Sequence, residues 1–319
     1  MSYKNPVAFD GGLTSYGMPV ISGPEFNVWN KKAKAFFVDG TNGSDSDKGT
    51  SWKTALATPL AALTLAEATM ATGDPAYIYV APGSYTISAV ITVSYPNIHW
   101  RAVGWQFPYS SVLLTQATDV TAFSLAATAD NGSIVGFYIT GDSSATPTAP
   151  TIVVASACVK YGIFANTFYT ADVTKTLTAI DAEADQLMVM NNRFLACHIG
   201  VDNAGARSII NNNYFEDAGN ASGHCAITLA TGDVCEVGNN VINEYGTGGS
   251  NKGIIIASGS NYNYVHHNYI HALNSDPISD GGTNTMLVQN RKSIQTEGSF
   301  TITSGAAFDN EVLLGNIIT

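Results

Sequence analysis

Acidic, basic and imidazole side chains crowd into a few places in this chain, and each place suggests a chemistry. Glu216-Asp217 is the densest acidic spot, and His271 lies further along; a carboxylate and an imidazole within reach of each other form an acid/base couple. His266, His267 and His271 make a local histidine cluster. Zinc would need further Cys, His or Asp at short spacing, and none is evident. Arg193, Tyr214, Tyr269 and Arg291 are guanidinium and aromatic groups of the kind that stack on sugar rings or on another subunit. Asp276 and Asp280 flank Pro277 in a stretch, Leu273 to Thr285, that reads as a loop. Asp39, Asn42, Ser44, Asp45 and Asp47 are hard oxygen donors suited to calcium. Counting from Asp39, however, Thr50 stands where an EF-hand loop needs its bidentate Glu, and turn chemistry explains the same residues. Cys158, Cys197, Cys225 and Cys235 lack metal-ligand spacing and read as buried free thiols. No metal or cofactor is expected.

What could position these groups is a recurring phrase: an apolar residue, two variable positions, Asn, one variable position, a large apolar residue. It reads Ile163–Asn166–Phe168, Val189–Asn192–Phe194, Ile210–Asn213–Phe215, Val237–Asn240–Ile242, Val265–Asn268–Ile270 and Leu313–Asn316–Ile318, with variants at Ile134–Phe137–Ile139 and Leu287–Asn290–Lys292. The Asn-to-Asn steps are 26, 21, 27, 28, 22 and 26 residues. Such a period marks a repeat architecture. The unit is too short for two helices, and its Val, Ile, Thr and Tyr content suits short strands and tight turns. Asn tolerates the left-handed conformation, and its side chain can bond an amide of the next coil. The pattern predicts a parallel β-solenoid with the Asn stacked in a ladder.

The repeat supplies a register test. Acid hydrolysis of a glycosidic bond needs two carboxylates roughly 5–10 Å apart, about one or two coil spacings of ~4.8 Å. The position after the Asn holds Thr167, Arg193, Tyr214, Val241, Tyr269 and Arg291; three after it come Tyr169, Leu195, Glu216, Asn243, His271 and Ser293. Four before it come Gly162, Met188, Ile209, Glu236, Tyr264 and Met286. None of these columns stacks two acids. Glu216 and His271 share a column two coils apart, and His266 falls in a column with Phe164 and Met190, predicting that it packs at a corner. No catalytic residue is assigned from this test; paired acids in an outward trough would overturn that.

Charged residues are only 12% of the 319, against 45% hydrophobic, and the net charge is −11. Ser, Thr, Asn, Gly and Tyr must then build most of the surface, which suits packing against other subunits or sugar binding. No basic cluster exists beyond Lys31, Lys32 and Lys34, which argues against nucleic acid. No run of 18 apolar residues occurs, so no membrane-spanning helix is expected. The stretch Met1 to Asp10 has no apolar core of the kind a secretory signal needs, predicting synthesis in a reducing cytoplasm.

Residues 1–35 are Gly- and Pro-punctuated with scattered anchors such as Phe9, Tyr16, Phe26 and Trp29, and read as an arm that docks on something. From Phe36 a strand, Phe36 to Val38, leads through the loop Asp39 to Thr50 into helix-forming sequence from Trp52 to Ala71, with Leu60, Leu63, Leu65 and Ala68 at helical spacing. The Asp39-Gly40-x-Asn42-Gly43-Ser44-Asp45 loop, Gly49, Trp52 and Tyr79-Val80-Ala81-Pro82-Gly83-x-Tyr85 resemble the opening of the pectate-lyase-like, right-handed parallel β-helix superfamily. The resemblance implies one β-helix over 36–319 whose first coil is plugged by a capping helix at about 52–71, and it spans lyases, hydrolases, adhesins and phage spikes. The whole chain looks most like phage virion proteins with a short Gly-rich arm. That implies a non-catalytic decoration or spike protein, homotrimeric, bound to other capsid or tail proteins through the arm and in contact with host polysaccharide. The alternative is a tailspike-type depolymerase, lyase or glycoside hydrolase.

Overall fold

The computed structural model describes residues 33–293 except 72, 105–109, 142–148, 171–176, 217–224, 244–251 and 272–276. It adds five short strands outside that span: Thr14–Ser15, Met18–Pro19, Thr303–Ser304, Val312–Leu314 and Ile317–Ile318. The arm predicted over 1–35 lies outside the described residues apart from its first two strands and its last three residues.

The chain winds as a right-handed parallel β-helix: the repeat predicted the parallel solenoid, and the resemblance implied its hand. Each coil visits three sheets in turn: Gly162–Phe164, then Thr167–Tyr169, then Thr178–Ala182 are one coil. Sheet 1 has eleven strands from Lys34–Val38 to Val312–Leu314, sheet 2 ten from Gly83–Ile87 to Ile317–Ile318, and sheet 3 nine from Ile91–Val93 to Thr303–Ser304. Every pairing within them is parallel and in register, so each inward residue lies on its counterpart one coil earlier. On sheet 1, Trp100, Ile134, Ile163, Val189, Ile210, Val237, Val265 and Leu287 form one such file, and all are buried. On sheet 2 the Phe168, Phe194 and Phe215 rings stack nearly flat, with centroids 4.9 and 4.6 Å apart, the spacing the strands impose.

The corner between sheets 1 and 2 is built from the repeat Asn. Asn166, Asn192, Asn213, Asn240, Asn268 and Asn290 are all buried. From Asn192 on, each Oδ1 accepts from the side-chain and backbone N–H of the Asn one coil earlier: for Asn213, from Asn192 Nδ2 at 3.1 Å and Asn192 N at 2.9 Å; Asn166 Oδ1, the first, accepts from Phe137 N at 3.0 Å. Each Nδ2 also donates to a carbonyl, as Asn213 does to Val189 O at 2.8 Å. The left-handed residue is not the ladder Asn but the one before it: Ala165, Asn191, Asn212, Asn239, His267 and Gln289 all have φ between 50° and 59°. That residue turns the corner, and the ladder Asn supplies the bonds. A second left-handed file, Lys160, Gln186, Arg207, Val234, Tyr262 and Asn284, turns the corner into sheet 1.

The predicted cap is shorter than expected. Trp52–Thr54 is a 3-10 turn and the helix α1 spans Pro59–Thr69, because Pro59 favours the first helical position and Thr58 caps Ala61 N at 3.2 Å. The buried face is Pro59, Ala62, Leu63 and Ala66; Leu60 of the predicted stripe is exposed. The first strand begins at Lys34 rather than Phe36. The variant phrase Ile134–Phe137–Ile139 spans two strands, Ser133–Val135 and Tyr138–Thr140, broken at Gly136 with φ 86°. The predicted Leu273–Thr285 loop contains a sheet 3 strand, Ile278–Asp280.

Candidate active site on the outer face of sheet 3

Sheet 3 carries the acids that stack. Its strands Thr178–Ala182, Ile199–Asn203, Cys225–Leu229 and Lys252–Ile256 bury Ile180, Val201, Ile227 and Ile254 on one side and Ala182, Asn203, Leu229 and Ile256 on the other. Alternation turns the residue between each pair outward. That file reads Val153, Asp181, Asp202, Thr228, Ile255 and Ser279 in direct register. Asp181 and Asp202 are therefore cross-strand neighbours one coil apart, about 4.8 Å along the axis, with uncharged residues before and after.

Two like charges directly opposite on a half-buried face repel. Burial first, then the Glu183 carboxylate, raises the Asp181 pKa above the ordinary range. Burial first, then Asp181 itself, raises that of Asp202. Asp202 Oδ1 is buried and finds no hydrogen-bond partner among the described residues. One carboxyl of such a pair holds its proton to higher pH than a solvated acid does. Cys225, one strand on, takes no part as a nucleophile: it is buried, burial pushes its thiol up to about 12, and Sγ donates to Ile227 O at 3.1 Å.

Counting from the ladder Asn could not find this pair. Asp181 lies 15 residues after Asn166, but Asp202 lies only 10 after Asn192, because the connections between sheets 2 and 3 differ in length. The available signal was the second apolar patch: aligning Ile180-Asp181-Ala182 with Val201-Asp202-Asn203, Ile227-Thr228-Leu229 and Ile254-Ile255-Ile256 stacks the acids at once.

The residues singled out from sequence fall elsewhere. Glu216 and His271 do share a sheet 2 file, with Asn243 between them. Glu216 Oε2 instead meets Arg193 Nη2 at 3.4 Å, and the Arg193 guanidinium lies 5.4 Å over the Tyr214 ring. Asn243 Nδ2 donates to Tyr214 Oη at 3.0 Å, so the Arg193–Tyr214 end of the stripe is bonded to its own neighbours, while Tyr269 and Arg291 follow in the same file, exposed. His266 is not a corner residue: it ends the sheet 1 strand Tyr264–His266, its Nε2 3.2 Å from Glu236 Oε1 and its Nδ1 2.9 Å from His267 Nδ1. Its ring occupies the place of a side chain at Gly238, where a Cβ would come within 2.4 Å of it. Asp280 faces inward, buried, and accepts from Gly282 N at 2.9 Å; Asp217 and Asp276 lie outside the described residues. In the first loop Asp45 accepts from Ala57 N, Thr58 N and the Thr58 hydroxyl at 2.8–2.9 Å. Asp39 accepts from the Asn42 side chain and the Thr41 amide, which lower its pKa. Both carboxylates are thus engaged in turn and cap bonds. Among the described residues no group of three or more His, Cys, Asp or Glu is placed to hold a metal ion.

Known structures share this architecture. DFA-IIIase from Arthrobacter chlorophenolicus A6 aligns over 80% of this chain and 73% of its own with a TM-score of 0.56 and 16% identity. Alginate lyase from Paenibacillus sp. str. FPU-7 aligns over 81% and 95%, with a TM-score of 0.54 and 15% identity. GH136 lacto-N-biosidase from Eubacterium ramulus aligns over 89% and 68%, with a TM-score of 0.51 and 9% identity. The likeness is one of fold. What it supports is the parallel β-helix fold, which in these neighbours carries carbohydrate-active enzymes. No family model and no curated sequence matches the chain.

Proposed function

We propose that this protein is a β-helix glycoside hydrolase that cleaves a polysaccharide on the outer face of sheet 3, with Asp202 as general acid and Asp181 as its charged partner. The observation that carries the reading is the in-register stacking of these two half-buried carboxyls. Asp202 has the orphaned oxygen and feels the Asp181 charge, so it is the group held protonated and able to protonate a leaving oxygen. Asp181 then attacks or stabilises the anomeric carbon. A separation of one coil leaves no room for an intervening water, which matches a retaining displacement rather than an inverting one. Uronate elimination fits less well. It calls for a cation against the sugar carboxylate, and the charges that set both pKa values here are acidic.

The setting that agrees with the opening-motif resemblance is a phage spike displayed on the virion as a homotrimer, held through the arm. A second reading, a non-catalytic virion structural protein, is favoured by the small charged share of 12%. Incubation with a panel of bacterial exopolysaccharides separates them. The hydrolase releases reducing ends with retained anomeric configuration and no unsaturated uronate, and Asp202→Asn and Asp181→Asn each lose at least about a hundredfold in rate. Unsaturated product would replace the hydrolase with a lyase. Activity that survives both substitutions would remove the pair from the mechanism, and no product across the panel would leave the structural reading standing.

A further inference from the structure

A second built surface lies far from the acid pair, on the outer face of sheet 1 over its first strands. Lys34–Val38, Ala76–Val80, Ile98–Ala102 and Ser133–Val135 place Phe37, Tyr79 and Arg101 in one outward file, and Tyr77, His99 and Ser133 in the next. The groups touch. Tyr77 and His99 stack at 4.8 Å, Phe37 and Tyr79 stack at 5.7 Å, and Trp52 meets Phe37 edge-on at 4.8 Å.

At the centre is a cation without a counter-charge. Arg101 Nη1 donates to Trp100 O at 2.9 Å and to Ser133 Oγ at 2.8 Å. No carboxylate pairs with it among the described residues; the polarisable neighbours are Tyr79, Tyr77 and Tyr161. His99 does not add to the charge, since burial and then the Arg101 cation hold its pKa down at about 4. Its Nδ1 faces Ser133 Oγ at 2.9 Å. In a chain of net charge −11, a half-desolvated guanidinium with no acid paired to it among the described residues is a poor structural element and a good carboxylate receptor.

We infer that this block binds a carboxylate-bearing sugar, with Arg101 forking the carboxylate and the exposed Trp52 ring, backed by Phe37 over the buried Tyr79, receiving the sugar face. The exposed Trp52 ring on the same face favours a glycan over an acidic protein segment, because a flat ring matches a pyranose face rather than extended backbone. The site is separate from the sheet 3 acids, so it anchors a polymer rather than cutting it.

Calorimetric titration of the full chain with de-esterified oligogalacturonide tests the inference, with the fully methyl-esterified oligomer and poly-glutamate as controls. The acidic oligomer is expected to bind and the ester to fail. Arg101→Gln should weaken binding by about tenfold or more, the worth of a charge-assisted bidentate contact. Trp52→Ala, at an exposed position, should weaken it severalfold and keeps the test open if the Arg101 variant melts early. Asp202→Asn protein should bind unchanged, so loss of the hydrolase reading would leave this one intact. Absence of binding to wild type, equal binding of the ester, or indifference to both substitutions would overturn the site. Preferential capture of poly-glutamate would overturn the sugar assignment.

Discussion

The corner between sheets 1 and 2 and the outer face of sheet 3 both stack one polar side chain per coil, with opposite results. At the corner six Asn are buried and each described amide group is spent, as acceptor to the coil before and donor to a carbonyl. An amide carries donors and an acceptor, so a file of identical amides satisfies itself. On sheet 3 the stacked groups are carboxylates, which only accept. Two in register cannot satisfy each other unless one keeps its proton. The repeat therefore stabilises where the side chain is self-complementary, and stores unfavourable charge where it is not. Chemistry is found at the second kind of place.

The largest break in that comparison is at the ladder. Asn213→Ala removes the acceptor of Asn192 N and Asn192 Nδ2 and leaves Val189 O without its donor. Burial prevents water from replacing them. The expected cost is about 3 kcal/mol, read as a lower midpoint in denaturant with an unchanged slope. An Asn213→Ala protein as stable as wild type would show that the ladder is decorative.

Asp202→Asn should do the reverse. Removing the carboxyl whose ionisation opposite Asp181 is disfavoured stabilises by on the order of 0.5–1 kcal/mol at neutral pH. The sign follows from linkage. A carboxyl whose folded pKa is raised binds more protons folded than unfolded, so its pair costs stability as pH rises from the ordinary carboxylate range through the raised pKa. Wild type should lose stability over that interval relative to Asp202→Asn, and the two melting curves should converge in acid. If the variant instead melts lower at pH 7, the carboxyls are bonded rather than strained, and the site argument weakens with it.

The two regions also differ in how far the sequence disclosed them. The ladder and the sheet 1 and sheet 2 files were legible because the corner has fixed length: the same two residues lie between Ile163 and Asn166 as between Val189 and Asn192. The Asp181–Asp202 pair was not, since connections of unequal length precede sheet 3 and register is lost across them. His266 was misplaced for a different reason. Its column is right, but only coordinates reveal that Gly238 leaves a notch into which the ring falls toward Glu236. The short cap is a local matter, with Pro59 and Thr58 setting a helix start seven residues after the predicted Trp52.

The smallest effect sharpens the comparison by supplying a base in place of an acid. His99 is kept neutral, its pKa at about 4 rather than 6.5, by burial and by Arg101. The folded state then binds fewer protons than the unfolded one between those values, so this group's contribution is fully present above pH 6.5 and is lost as pH falls toward 4. The acid pair on sheet 3 changes in the opposite sense, losing stability as pH rises from the ordinary carboxylate range. Subtracting the melting temperatures of His99→Gln from those of wild type, pH by pH, isolates the histidine: the difference should move against wild type below pH 6.5 and be flat above it. A difference flat throughout would mean that His99 is solvated enough to protonate in place. The Arg101 block would then be an open surface rather than a desolvated one, and the receptor argument would lose its physical basis while the Asp181–Asp202 site kept its own.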